Sequence, residues 1–226
     1  MLRQPVITKD GSHTVSVPEM NVTYHSLHGA IQESLHVFIE AGLKSWLLNS
    51  NHGDIHIFEM GFGTGLNALL TYIEAEKLNM HVNYTAVELF PLQHEEIAAL
   101  NYCDQLKRPD LPAIFERLHN CEWNQEVDIS SFFKLQKVKT NLANFSSSQR
   151  FNVIYFDAFA PTAQPELWTK EIFQKLISML YPGGLLTTYC SKGEVRRAMQ
   201  AAGFMVEKIP GPPGKREMVR AKKNHD

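Results

Sequence analysis

Residues 57–67 read IFEMGFGTGLN, an apolar run carrying one acid and followed by three glycines at alternate positions. Glycine at that density weakens helices and strands, so a local backbone requirement must keep it there. The residues before the glycines, IHIFEM (55–60), have the character of a buried strand, and LNALLTYIEAEKL (66–78) that of a helix starting at the loop. Glycine-rich backbone leading into a helix offers unpaired N–H groups and the positive end of a helix dipole, at the edge where doubly wound sheets bind ligands.

Three ligand classes compete for such a loop. A dinucleotide fingerprint needs glycine at its first, third and sixth positions, which here are Gly61, Gly63 and Leu66; the third glycine is displaced to Gly65. A phosphate loop ends in GKS or GKT, where GLN stands here. The spacing E-x-G-x-G-x-G fits the first motif of Rossmann-like S-adenosylmethionine (SAM) methyltransferases. There the glycines let the backbone approach adenosine and the amino-acid tail, and Glu59 sits near the methionine ammonium. Glu88 ends a second strand, VNYTAVE, roughly 20 residues past the loop, placed to accept from both ribose hydroxyls. That geometry serves NAD and SAM alike.

Working outward, 4–17 reads as a hairpin about Asp10-Gly11 and 29–48 as an amphipathic helix. PLQHEEIAALNYC is predicted as a helix with Pro91 at its first position, FFKLQKVK as a third strand and FNVIYFDAF as a fourth. PELWTKEIFQKLISML is a helix, LLTTYC a fifth strand and GEVRRAMQAA a helix stopped by Gly203. FMVEKIP and REMVRAKK form an antiparallel pair across GPPG. Strand–helix alternation implies a parallel sheet covered on both faces. The expected fold is therefore α/β, a Rossmann-like class I methyltransferase with a mostly parallel seven-stranded sheet and an antiparallel C-terminal edge. Residues 1–50 form a hairpin and helix extension packed on 51–226, one folded unit overall. The antiparallel pair favours SAM over NAD.

The 226 residues suffice for one core, and 44% hydrophobic with 20% charged residues is ordinary globular composition. Without an apolar run of about 18 residues, a membrane span is not expected. The N-terminus lacks the apolar centre of a secretion signal. Cys103, Cys121 and Cys190 lack metal spacing, and no metal is expected. A cytoplasmic protein is the expectation. Net charge is −2, but 190–226 carries nine Lys/Arg against four Asp/Glu. Arg196, Arg197, Lys215 and Arg216 are thus candidates for RNA phosphate contacts, or simply a solvated face.

At the reactive end, YFDAFAP (155–161) places Asp157 after an apolar strand, where an ionised carboxylate needs partners or work. Asp157 can orient an amine or take its proton during methyl transfer; alternatively it caps its own loop. Phe159 and Pro161 are candidate walls for a flat substrate. Trp168 reads as core, and His25 and His28 as lid or capping residues.

DGSHT, YHSLHGAIQES, EMGFGTGLN, VELFP, YFDAFAP, ELWT, TYC, VRRAMQAAGF and GPPGKREM, in this order, resemble the methyltransferase part of the MnmC family. The resemblance implies SAM-dependent N-methylation of 5-aminomethyl-2-thiouridine to 5-methylaminomethyl-2-thiouridine at the tRNA wobble position, in the anticodon loop. It assigns the whole glycine loop to the cofactor, adding Phe62, Thr64 and Asn67 to Glu59, the glycines and Glu88, and puts Asp157 at cofactor and amine. The family's FAD-dependent domain has no counterpart in these residues, so no FAD is expected and a separate enzyme would supply the aminomethyl-uridine. Where the related pattern has an adenine-contacting acid after the third strand, Asn141 stands, with Asp128 the weaker substitute. Two other readings stay open: a SAM-dependent methyltransferase of a small-molecule or protein amine, and a non-catalytic RNA-binding or assembly module.

Overall fold

Hydrophobic alternation along the strands builds the molecule. In the computed structural model, which describes residues 2–50 and 53–225, Gln4–Ile7 (β1), His13–Val17 (β2) and Val22–Thr23 (β3) form a small antiparallel sheet in that order. The expected boundary between residues 50 and 51 falls beside residues outside that description. The remaining strands are Ile55–Met60 (β4), Val82–Glu88 (β5), Glu126–Ser130 (β6), Phe133–Lys139 (β7), Phe151–Phe156 (β8), Leu180–Thr188 (β9), Met205–Pro210 (β10) and Glu217–Lys222 (β11). They form one sheet in the order β10-β11-β9-β8-β4-β5-β7-β6. β7, β5, β4, β8 and β9 run parallel, and β11 lies antiparallel between β9 and β10.

The sheet has eight strands rather than seven. The added β6, residues EVDIS, pairs antiparallel with the outer edge of β7. Its five residues do alternate, with Val127 and Ile129 on the inner side, but only Ile129 is buried, so the signal is short and weak. The helix Pro112–Asn120 before it was likewise not expected. A further correction concerns Pro91, which does not open a helix. His94–Ala98 starts three residues later, behind a reciprocal capping box between Gln93 and Glu96. That helix ends before Asn101, whose side chain is committed to the N-terminal hairpin. It accepts from His13 N–H at 2.8 Å and donates to Gly11 O at 3.0 Å. Tyr102–Gln105 is then a separate turn of helix.

Strand periodicity sorts residues into two cores. Ile55 and Ile57 of β4, Tyr84 and Ala86 of β5, and Val153 and Tyr155 of β8 point to one face, under the helix Leu66–Leu78. Phe58, Val87, Ile154 and Phe156 point to the other, where Phe173 and Leu176 of Lys170–Met179 and Val195 of Gly193–Ala201 cover them. Residues 30–47 form one helix in three parts, Ala30–Ser34, a wide π-wound run Leu35–Lys44, and Ser45–Leu47. Its Val37, Phe38, Ile39 and Leu43 are buried in the first core, and Phe38 meets the Tyr155 ring at 5.2 Å. Gly42 allows this close approach: a Cβ there would lie 3.1 Å from Thr187 Oγ1 and 3.2 Å from Tyr155 Cε1.

Phe133 on β7 is fully buried between Tyr72 (5.5 Å) and Tyr84 (5.8 Å). Phe133→Ala is expected to lower unfolding free energy by about 3–5 kcal/mol in chemical denaturation, through lost burial and the cavity left behind.

Candidate active site

The two-residue period that buries the core also sets the chemistry. Glu59 follows Ile55 and Ile57 on the first face, Glu88 follows Tyr84 and Ala86, and Asp157 follows Val153 and Tyr155. Three carboxylates therefore emerge on one side of the sheet, at the carboxyl ends of three adjacent parallel strands. Glu88 and Asp157 line a cleft of about 340 Å³ together with Gly61, Phe62, Gly63, Thr64, Asn67, Asn141 and Phe159, while Glu59 is fully buried outside that lining.

The glycine loop turns from β4 into the helix Leu66–Leu78 through three left-handed residues, Gly61 (φ 90°), Gly63 (φ 49°) and Gly65 (φ 70°). All three also leave little room for a side chain. A Cβ would stand 3.0 Å from Asp157 O on Gly61, 3.0 Å from Tyr24 Cδ1 on Gly63 and 2.8 Å from His119 Nε2 on Gly65. Glu88 secures the loop by accepting from Gly63 N–H at 3.1 Å through Oε2, while Oε1 accepts from Phe90 N–H at 2.8 Å. From behind, His119 donates through Nε2 to Thr64 O at 3.0 Å, which fixes its tautomer. Burial pushes the His119 imidazole down to about 4, so it is neutral. The fully buried Lys137 ammonium donates to His119 O and lies 4.7 Å from the Trp123 ring centre and 5.3 Å from that of Phe62. This support was not legible in the sequence, because its members lie far apart along the chain.

Asn67, in the first turn of that helix, joins two of the acids. Its Nδ2 donates to Glu59 Oε1 and to Asp157 Oδ2, each at 2.9 Å. Glu59 Oε2 and Asn67 Oδ1 are buried with no protein partner. Burial drives the Glu59 carboxyl well above the usual range, and Asp157 adds to this by repulsion. Asp157 is pushed up to about 7, first by burial and then by the nearby Glu33; the Asn67 hydrogen bond and Lys215 oppose the rise.

Glu33 was not singled out as a site residue, although it shares the buried helical stripe of Ala30 and Val37. An acid at that spacing is the signal that could have found it. Its Oε2 accepts from Ser26 N–H at 2.6 Å and its Oε1 from Lys215 Nζ at 2.6 Å. Lys215 Nζ also lies 3.9 Å from the centre of the Tyr189 ring. Tyr24, likewise not anticipated, meets Phe159 edge-on at 5.1 Å and lies against Gly63. Arg3 ties this N-terminal wall to the loop after Glu88, donating to Phe90 O (2.6 Å), Pro91 O (3.0 Å) and Glu96 (3.2 Å).

The other sequence-predicted residues divide. Phe159 is held by Gln164 Oε1, which accepts from its N–H at 2.9 Å, and by Trp168 Nε1–H, which donates to its carbonyl at 2.8 Å. Pro161 lies outside the cleft lining. Asn141 lines the cleft, but its Oδ1 already accepts from Asn144 N–H at 2.8 Å, leaving one lone pair and the Nδ2 group. Asp128 is exposed on β6, 3.8 Å from Lys134 and away from the cleft. Arg197 and Arg216 are exposed, whereas Arg196 donates to Ser191 O at 3.2 Å and Lys215 is engaged by Glu33. His25 is buried beside Thr14 at 3.2 Å, and the exposed His28 covers Gly214. Among the described residues, no helix is long and apolar enough to cross a membrane and no group of His, Cys, Asp or Glu is arranged to hold a metal.

A sequence profile described as S-adenosyl-L-methionine-dependent methyltransferase matches residues 103–224, more than half of the chain. The chain belongs to this family. Its cofactor is SAM, and the site fits it: buried, unpartnered oxygens on Glu59 and Asn67 suit an ammonium donor, and the acids suit the positive charge of a sulfonium. Glu88 retains lone pairs for ribose hydroxyls after its two backbone contacts. Among solved structures, MNMC2 from Aquifex aeolicus shares the fold with a TM-score of 0.80 at 22% identity, over 100% of this chain and 70% of that one. Two curated relatives bear the name tRNA 5-methylaminomethyl-2-thiouridine biosynthesis bifunctional protein MnmC. The Leptospira interrogans protein is 31% identical over 87% of this chain, and that of Cupriavidus metallidurans 29% over 97%. The chain spans 32% and 34% of those relatives' lengths.

Two measurements check this site. SAM binding measured by calorimetry is expected to tighten as pH rises through about 7 and to release a proton below it, because a bound cation favours the ionised form of Asp157. Stability carries the opposite sign. Between the unfolded value of 3.8 and the folded value of about 7, the unfolded chain has lost a proton that the folded protein keeps. Stability is therefore highest below that window and falls across it. Asp157→Asn is expected to remove that fall, gaining about 2–4 kcal/mol over wild type above pH 7 in denaturant titrations of the cofactor-free protein.

Proposed function

We propose that this chain transfers the methyl group of SAM to the exocyclic amine of 5-aminomethyl-2-thiouridine at the tRNA wobble position, giving 5-methylaminomethyl-2-thiouridine. The observation that carries the reading is Asp157: a carboxyl with a proton affinity near neutrality, on the cleft floor, its backbone against the glycine loop. Such a group suits a primary amine, which arrives as an ammonium and must lose a proton to become a nucleophile. The names of the curated relatives support the tRNA substrate.

When bound, SAM supplies an electrophilic methyl carbon on a positively charged sulfur. Asp157 accepts a hydrogen bond from the incoming amine, orients its lone pair toward that carbon and takes the proton. Asn67 holds the receiving carboxyl in place through Oδ2, leaving Oδ1 for the amine. One N–C bond forms, one S–C bond breaks, and the amine proton leaves through Asp157. Phe159 and Tyr24 supply the flat walls that exclude water from the transfer. Exposed Arg197 and Arg216, with Arg196 next to Arg197 in sequence, supply charge for RNA phosphates outside the cleft. In this reading the protein works in the cytoplasm, and the primary amine is generated beforehand by an activity other than methyl transfer.

Incubation with methyl-labelled SAM and tRNA bearing aminomethyl-thiouridine, followed by nucleoside analysis, is expected to place label on the aminomethyl nitrogen. Label absent there while SAM binds would reject the tRNA reading. Asp157→Ala is expected to lower kcat by about 100-fold or more while SAM affinity stays within about tenfold, or 1.4 kcal/mol.

A further inference from the structure

Outside the cleft lining, an ion pair joins two distant parts of the chain. Glu33 comes from the first turns of the helix spanning residues 30–47, and Lys215 from the turn between β10 and β11. Their side chains are 8% and 32% exposed, and Nζ stands 2.6 Å from Oε1. Each partner is fixed a second time. Glu33 Oε2 takes Ser26 N–H, and the Lys215 ammonium rests on the Tyr189 ring, whose hydroxyl donates to Ala158 O at 2.8 Å. Ala158 directly follows Asp157. Neighbouring contacts brace the same junction: His36 Nε2 bonds Pro210 O at 2.8 Å, and His28 seats on Gly214.

A pair this rigid, and this far from water on the Glu33 side, is weakly justified as a source of stability, because desolvation offsets much of the attraction. Its position relative to Asp157 supplies a better reason. Glu33 acts on the Asp157 carboxyl by repulsion and Lys215, more weakly, by attraction, so the pair sets a field that the loss of either partner would change. We propose that Glu33 and Lys215 are one positioning unit for Asp157, which decides when that carboxyl can accept a proton from the acceptor amine. The assignment rests on the amine-methylation reading above for its purpose, but the electrostatic coupling is a property of the protein alone.

The other groups facing Asp157 are Glu59 from β4, Asn67 from the helix after the glycine loop, Tyr84 from β5, Tyr102 and Tyr189. The tyrosines stay neutral because burial raises their hydroxyls, and Glu59 holds its proton through burial. Glu33 and Lys215 are thus the pair of opposite charges whose removal should move Asp157 in opposite directions.

The test is a carbon-13 NMR titration of the cofactor-free protein labelled at aspartate Cγ, with the Asp157 signal assigned through Asp157→Asn. Glu33→Gln, which keeps the shape of the side chain, is expected to lower the Asp157 midpoint by about half a pH unit or more. Lys215→Met is expected to raise the Asp157 midpoint by a smaller amount, and Lys215→Arg to stay near wild type. With aminomethyl-tRNA, the acid limb of the kcat/KM profile is expected to move in the same directions, with SAM affinity changed less than about threefold. Unmoved Asp157 midpoints in both Glu33→Gln and Lys215→Met, or shifts of the same sign, would overturn the proposal. If Lys215→Met fails to fold, a Glu33→Gln midpoint equal to wild type is sufficient to reject it. Failure of wild type to methylate the tRNA defeats the substrate reading and leaves the NMR result standing.

Discussion

One amide group holds the cleft together. Asn67 Nδ2 donates to Glu59 and Asp157, two carboxylates whose proximity would otherwise be repulsive and costly to bury. A single donor between them fixes the spacing of β4 and β8 at their carboxyl ends to the first turn of the helix that follows the glycine loop. Both acids hold their protons more tightly than exposed acids do, so the apo site carries less negative charge than its composition suggests. Bound positive charge reverses that, which couples cofactor occupancy to the ionisation of Asp157.

Everything around the bridge serves to keep it in place. The left-handed glycines bring the loop backbone to within a missing side chain of Asp157 O and of His119. Behind the loop, a neutral His119 donates to the Thr64 carbonyl, and a buried Lys137 in turn donates to the His119 carbonyl. In front, the N-terminal strands deliver Tyr24, and Arg3 clamps them to the chain just beyond Glu88. Residues 30–47 do more than extend the fold: Phe38 and Leu43 belong to the main core, and Glu33 enters the active-site field.

Much of this was legible along the chain, for local reasons. IHIFEM, VNYTAVE and FNVIYFDAF announce themselves because consecutive apolar residues need burial on both faces, and the acids at or near their ends stand out against that background. Glu59, Glu88 and Asp157 were found in this way. EVDIS was not, because this edge strand is five residues long and buries one side chain, too short a run for its alternation to stand out. Pro91 suggested a helix start by its usual role, but a capping box two residues later supplied a stronger one. Glu33 and Lys215, 182 residues apart, carried no shared mark until the fold brought them within 2.6 Å.

The sequence by itself determined the sheet class, the glycine loop, the three acids and the cofactor family, since each follows from spacing within one strand, loop or helix. Tertiary structure alone decided which charges act together. Proton affinity depends on burial and on neighbours a few ångströms away, and those neighbours come from strands, helices and turns distant along the chain. The place of Asp157 at the end of its strand was readable from YFDAFAP; the field that sets its proton was not.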